Sequence, residues 1–364
     1  MSAGSSQPGP ATPAQPPVDG LAWHDVREWG VEGKGWADTE CDYDRLPARA
    51  KGVVRDPVWM LSRCSSGMCF HFETDATEIA ARWTLRSASA GRLTMPAAGS
   101  SGLDLYARDE EGRWRYVSVG LPASPPNVQA PLVTGLSPGR RVYRVYLPLY
   151  NGVTSVAVGV APGAHFRPIP PRSARPILFY GTSIVQGACA SRPGMPHPAI
   201  LGRRLDLPII NLGFSGNGLM EPEVAALLAE LDACAYVIDC LPNADALQVA
   251  ERTEPLVFTL RKAHSGTPIV LVEDRTYANA RFITARRERN ESNRRAYRAA
   301  YGRLVAGGVK RLWYVPGEPL WGDDGEASVD GVHPTDLGFA RMADALEPVL
   351  RQCLETPAGG ARVI

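Results

Sequence analysis

Between Val53 and Val160 the hydrophobic positions fall in short runs that alternate with polar ones. Val53–Ser62, Met68–Glu73, Glu78–Ser87, Leu103–Arg108, Trp114–Val119, Arg141–Leu147 and Thr154–Val160 are rich in β-branched and aromatic residues, and Gly, Pro, Asp and Asn separate them. Period-two runs bounded by turn residues predict strands, and a chain of them without an intervening helical period predicts a β-sandwich. Pro162 to Pro176 is proline-rich and predicts an extended connection. Beyond it the pattern changes. Short, mostly apolar runs at Pro176–Tyr180, Leu207–Leu212, Tyr236–Cys240, Pro268–Glu273 and Arg311–Val315 alternate with helical periods at Pro198–Arg204, Glu221–Leu231, Ala250–Ala263, Arg287–Ala306 and Thr335–Leu354. Apolar strands alternating with amphipathic helices predict a parallel sheet covered on both faces, with any site at the carboxyl ends of its strands. The expected organisation is a tail (1–20), an N-terminal β-sandwich (21–165), a linker (166–175), an α/β domain (176–356) and a short tail (357–364).

Composition adds few constraints. The 364 residues are 45% hydrophobic, enough for two ordinary cores, and 39 basic against 38 acidic side chains leave a formal charge of +1. Such a balance gives no footprint for nucleic acid. The arginines from Arg286 to Arg298 alternate with Glu288, Glu291 and polar residues at helical spacing and read as a solvated helix face. Seven scattered cysteines form no zinc-spaced set. Buried free thiols are expected, with a Cys64–Cys69 bond as the alternative. No apolar run is long enough to span a membrane. Met1–Val18, made largely of Ser, Gly, Pro, Ala and Gln, is expected to be disordered. It is compatible with export after removal of a signal peptide and equally with a cytoplasmic protein.

Four loops carry candidate chemistry. Gly181-Thr182-Ser183 follows the first apolar strand, so Ser183 stands at a strand end where a tight turn meets a helix start. The triplet alone is common: Gly4–Ser6, Gly99–Ser101 and Gly135–Ser137 repeat it. Asp330-Gly331-Val332-His333 enters the last helix, and an acid three residues before a histidine can hold Nδ1 and leave Nε2 as a base. Asn211 to Gly218 carries glycines at 213, 216 and 218 after the second strand, where backbone N–H groups can approach a ligand. A phosphate cradle is the rival reading, but the Gly-Lys-Ser/Thr pattern is absent. Asp239 to Asn243 follows the third strand and offers an amide donor.

Their order (Ser, Gly, Asn, then Asp-x-x-His, each behind a strand of one sheet) resembles the SGNH hydrolase superfamily, relatives of the GDSL lipases and acylhydrolases. Gly-Thr-Ser replaces the more usual Gly-Asp-Ser, and Leu-Pro precedes Asn243 in place of a Gly-x pair. In the front half, Gly102-Leu103-Asp104-Leu105-Tyr106 resembles the Gly-x-Asp-Leu-Tyr signature of the sandwich that precedes one group of these esterases, and Leu147–Gly152 resembles its end. The resemblance implies a flavodoxin-like three-layer α/β hydrolase domain behind a jelly-roll-like all-β sandwich. It also implies a Ser183 nucleophile, a His333 base oriented by Asp330, and an oxyanion hole of Ser183, Gly213 and Asn243, with no metal or cofactor. The substrate class it implies is a short-chain acyl ester, acetyl above all, on a small molecule or polysaccharide similar to those of carbohydrate acetyl esterases. A short-chain thioesterase, a lysophospholipase and a silent carbohydrate-binding protein remain alternatives, and the oligomeric state is open. Trp321 is a candidate sugar platform, whereas Trp59, Trp83, Trp114 and Tyr106 read first as core.

Overall fold

The computed structural model describes residues 20–356. Apart from Gly20, the two tails expected from the sequence lie outside the described residues. The front half contains β1 (Ala22–Asp25), α1 (Asp56–Ser62), β2 (Cys69–Thr74), β3 (Ile79–Leu85), α2 (Ala97–Ser101), β4 (Leu103–Arg108), β5 (Trp114–Gly120), β6 (Asn127–Val133), β7 (Arg141–Tyr146), β8 (Val153–Val160) and β9 (Phe166–Ile169). The strands form two antiparallel sheets, β1-β8-β3-β6 and β5-β4-β7-β2-β9. Their inward rows, among them Phe72, Trp83, Leu105, Tyr143, Val145 and Val156, make one core.

Two expectations are corrected here. Val53–Ser62 is not a strand: Asp56-Pro57 opens α1, which buries Val58 and Trp59 and leaves Met60 exposed. A short apolar run fits either period, and a proline in the first turn favours the helix. The linker is also shorter than expected, because Phe166–Ile169 pairs with β2 as an edge strand.

The second half contains β10 (Ile177–Gly181), α3 (Ser183–Gln186), α4 (His197–Arg204), β11 (Ile209–Gly213), α5 (Pro222–Leu228), β12 (Ala235–Asp239), α6 (Ala246–Ala263), β13 (Ile269–Val272), α7 (Thr284–Ala306), β14 (Leu312–Val315) and α8 (Asp336–Glu355). The sheet order is β11-β10-β12-β13-β14, parallel throughout. Every residue of these five strands is buried, as a sheet covered on both faces requires. Tyr236 and Ile238 face the side of α5, α6 and α7, and Val237 faces that of α4 and α8. This is the doubly wound flavodoxin-like order, with β10 at the point where the winding reverses.

The two halves interlock. Between β1 and β2 the chain leaves the sandwich, and Trp36, Leu46, Val54, Val58 and Trp59 pack into the core beneath α5 and α6 with Leu212, Phe214 and Leu228. On the same excursion lies Arg45, 2% exposed. Its guanidinium donates to the carbonyls of Leu61 (2.7 Å), Cys64 (2.9 Å), Asn211 (3.1 Å) and Gly213 (2.7 Å). Burial lowers its pKa to about 10, so it stays charged at neutral pH.

Replacing Arg45 with Met should destabilise the chain by roughly 3–5 kcal/mol, because four buried carbonyls lose a charged donor at once. Guanidinium denaturation checks this, and a loss below ~1 kcal/mol would mean that the clamp carries little.

Candidate active site

Sequence and packing fix the Ser183 turn together. A Cβ on Gly181 would stand 2.4 Å from the carbonyl oxygen of Asp239 on the neighbouring strand, so only glycine lets β10 and β12 close. Thr182 is extended, and its hydroxyl accepts from Ile184 N at 3.2 Å, which caps α3. Gly187, at φ +106°, stops that helix after one turn. Ser183 therefore opens a helix with its own N–H outside the helical ladder. It is 5% exposed.

The Asp330–His333 loop meets it from the other side of the chain. His333 Nε2 lies 2.9 Å from Ser183 Oγ, and His333 Nδ1 lies 2.7 Å from Asp330 Oδ2. The second Asp330 oxygen accepts from the N–H groups of Val332 (3.0 Å) and His333 (2.8 Å). Burial works against the Asp330 charge, but the His333 backbone, the imidazole and the Val332 backbone more than offset it and hold the carboxyl below its usual range. A carboxylate that stays ionised suits the imidazolium that forms when Nε2 takes a proton. Ser328 braces the loop, its hydroxyl donating to the His333 carbonyl and accepting from Gly331 N, both at 2.9 Å.

The structure corrects one expected oxyanion donor. Gly213 N–H donates to Asn211 Oδ1 at 2.9 Å, and a Cβ there would lie 2.2 Å from Gln186 N. Gly213 is therefore a close-packing residue between β11 and α3, and its N–H is already engaged. Two residues farther along the same loop stand differently. Gly218 packs its backbone on Gly181 and Thr182, and its N–H donates to Asn243 Oδ1 at 3.1 Å. That bond occupies the Asn243 carbonyl oxygen and turns the amide –NH2 the other way. Gly216, at φ +71°, has open space where a side chain would be, and its N–H has no partner among the described residues.

Several residues that sequence reading did not single out complete the site. The N-terminal half supplies Tyr150, whose hydroxyl donates to the Ser183 carbonyl at 3.3 Å. Gln186 donates to Leu149 O (3.2 Å) and accepts from Ser215 N (3.0 Å), so α3, the β11 loop and the sandwich share one amide. The Gly-x-Asp-Leu-Tyr strand reaches the site as well. Asp104 is fully buried, accepts from Gly194 N at 2.7 Å and pairs with Arg192 at 2.8 Å, while the Arg192 and Arg203 guanidiniums lie over the Tyr106 ring. Ser191 of the same loop donates its N–H to Asp336 at 3.0 Å, three residues past His333. Only the motif itself hinted at this.

Trp321, the candidate sugar platform, is 3% exposed and belongs to the core below α8. Among the described residues, one cluster has metal-like spacing: Glu32, Cys69 and His71. Arg172 holds both Glu32 oxygens, and Arg144 donates to His71 Nε2 at 2.7 Å. Burial and then Arg144 push His71 down to about 3, so it is a neutral acceptor. With its donor atoms engaged by two guanidiniums, this cluster does not fit a cation.

Comparison with known proteins gives the family. A family model described as GDSL-like lipase/acylhydrolase matches residues 174–351, and one described as the GxDLY N-terminus of SGNH-hydrolase-type esterases matches 21–166. A GDSL-like lipase of Bacteroides ovatus is 33% identical over 92% of this chain and 98% of its own, with a TM-score of 0.88. The chain belongs to the GDSL-like lipase/acylhydrolase family. It is an ester hydrolase of SGNH type, with the front sandwich as part of the family architecture. A salicylyl-acyltransferase from a tetracycline biosynthetic pathway shares the fold at 18% identity and a TM-score of 0.74, covering 94% of this chain and 99% of its own. A family two carbohydrate esterase of Cellvibrio japonicus does so at 14% and 0.56, covering 92% and 98%. Among curated proteins none matches the chain in sequence.

The Asp104–Arg192 pair yields a prediction with an unusual sign. Burial, only partly offset by Arg192, pushes the Asp104 carboxyl up to about 6. The folded chain therefore holds this proton more tightly than the unfolded one, and its contribution to stability falls as pH rises from about 4 to 6. Asp104→Asn lacks that loss. Its stability relative to the unmodified chain should improve between pH 4.5 and 7, as urea denaturation at the two values would show, while its kcat falls several-fold at both. A stability deficit that grows with pH would contradict this account.

Proposed function

We propose that the protein hydrolyses short-chain acyl esters, acetyl esters of carbohydrates first among them, through an acyl-enzyme on Ser183. The observation that carries the reading is the relay from Ser183 Oγ to His333 Nε2 at 2.9 Å and from His333 Nδ1 to Asp330 at 2.7 Å. In this mechanism His333 takes the Ser183 proton as Oγ attacks the ester carbonyl, and Asp330 fixes the tautomer and stabilises the imidazolium. His333 then gives the proton to the leaving alcohol. Water, deprotonated by the same imidazole, attacks the acyl-enzyme and releases the acid.

The negative charge on the tetrahedral oxygen falls to the Ser183 N–H, the Asn243 amide and the Gly216 N–H. Gly216 replaces Gly213 in this role because the Gly213 N–H is already bonded to Asn211. A short acyl group is supported by the small, polar loop beside Ser183, made of Ser215, Gly216, Asn217 and Gly218. The carbohydrate alcohol is supported by fold likeness to family two carbohydrate esterases.

Hydrolysis of 4-nitrophenyl acetate, butyrate and octanoate, with acetate release from acetylated xylan and mannan, tests the reading. The acetyl ester should be fastest, polysaccharide should yield acetate, and Ser183→Ala should abolish both. Asn243→Ala should lower kcat by about 10²–10³-fold with little change in KM. A preference for octanoate, for an acyl thioester or for a lysolipid would replace the substrate class. Turnover that survives Ser183→Ala would end the mechanism.

A further inference from the structure

A cavity of about 530 Å³ lies behind the Asp330–His333 loop, between the segments that follow β13 and β14. Tyr277, Phe282 and Trp321 supply aromatic walls, and Arg281 and Asp323 supply charged groups among them. The cavity is built onto the catalytic loop itself: Ala278 in its wall donates its N–H to the Gly331 carbonyl at 3.1 Å. Tyr277 and Trp321 are firmly packed, at 2% and 3% exposed, whereas Phe282 is 85% exposed at the rim.

Proton transfer decides which part of an ester can reach this place. The imidazole must hand its proton to the leaving oxygen, so the alcohol lies on the His333 side of the site. The carbonyl oxygen lies with the donors behind β10, β11 and β12. Because the sheet runs β11-β10-β12-β13-β14, the loops behind β13 and β14 are on the alcohol side. The lining suits a sugar ring: its C–H face can stack on Phe282, and its hydroxyl edges reach charged groups that an acyl chain would leave unpaired. The volume falls in the range of ligand pockets and exceeds what an acetyl group needs.

We propose that this cavity is the subsite for a sugar ring of the ester's alcohol, with Phe282 as its exposed stacking face. This rests on the esterase reading above but is tested apart from it. Ser183→Ala, which cannot turn over, is titrated calorimetrically with xylo-oligosaccharides and manno-oligosaccharides, with and without Phe282→Ala. Binding of one series that weakens about tenfold on loss of the ring supports the proposal. No binding of either series, or binding that Phe282→Ala leaves unchanged, overturns it even if the protein proves an esterase on other substrates. In the active protein, Phe282→Ala should raise KM for the acetylated oligosaccharide by a similar factor with little change in kcat. If it instead changes the preference between 4-nitrophenyl acetate and octanoate, the cavity holds the acyl chain and the proposal falls. The variant removes an exposed ring, so it does not threaten the fold.

Discussion

The catalytic end of this molecule depends on the buried guanidinium of Arg45. It bonds the carbonyls of Asn211 and Gly213, on the outer side of β11 just before the chain enters the donor loop. β11 is the edge strand of the sheet, so the carbonyls on its outer side have no neighbouring strand, and buried carbonyls must be satisfied. Here the partner comes from the N-terminal half of the chain. With β11 held, Asn211 can cap Gly213 N, Gly213 can sit against α3, and the loop from Phe214 to Gly218 can fold back on the Ser183 turn. The position of Gly216 and the orientation of Asn243 follow from that sequence of contacts.

Charge is used in two ways around the site. Asp330 is partly buried yet kept ionised by three hydrogen bonds, which is what a group that must face an imidazolium requires. Asp104 is fully buried and only partly compensated by Arg192, so its charge costs stability at neutral pH. What the second arrangement contributes is placement. Asp104 holds Arg192 and Gly194, and the same loop holds Asp336 through Ser191. The loop between α3 and α4 is thus fixed at one end by the sandwich and at the other by the helix behind His333. A charge that lowers stability while fixing a loop beside Ser183 is the compromise expected near an active site.

Much of this was legible in the sequence, and the misses have physical causes. The buried strands of the parallel sheet and the long helices announce themselves by period. β6 and β9 went unread because Pro131 and Pro168 interrupt their pattern, and both are edge strands, where a missing N–H is tolerated. Asp56–Ser62 was ambiguous because four apolar residues in a row fit a strand or a helix equally. Ser183, Asp330 and His333 are brought together by topology that the order of motifs encodes. The choice among Gly213, Gly216 and Gly218 is different in kind. All three lie at or just past the end of β11, and the Gly213 N–H is taken because the side chain of Asn211, two residues before it, folds back on the backbone. Nothing in the spacing of glycines contains that information.

The sequence also draws a boundary that packing does not respect. Its composition divides the chain near the proline-rich segment, and the strands sort cleanly to either side. Yet Trp36, Leu46, Val58 and Trp59, from the front half, are buried among α5, α6 and the faces of β11 and β12. Cutting the chain at the prolines would expose that apolar surface on both pieces and strip the carbonyls that Arg45 serves. Apolar area of this kind is the main favourable term in folding. The two halves are therefore separate in topology but joined in energetics. A hydrolase unit whose Ser183 rides on a one-turn helix, braced by Tyr150 and Leu149 of the sandwich, needs that union to keep Ser183 in reach of His333.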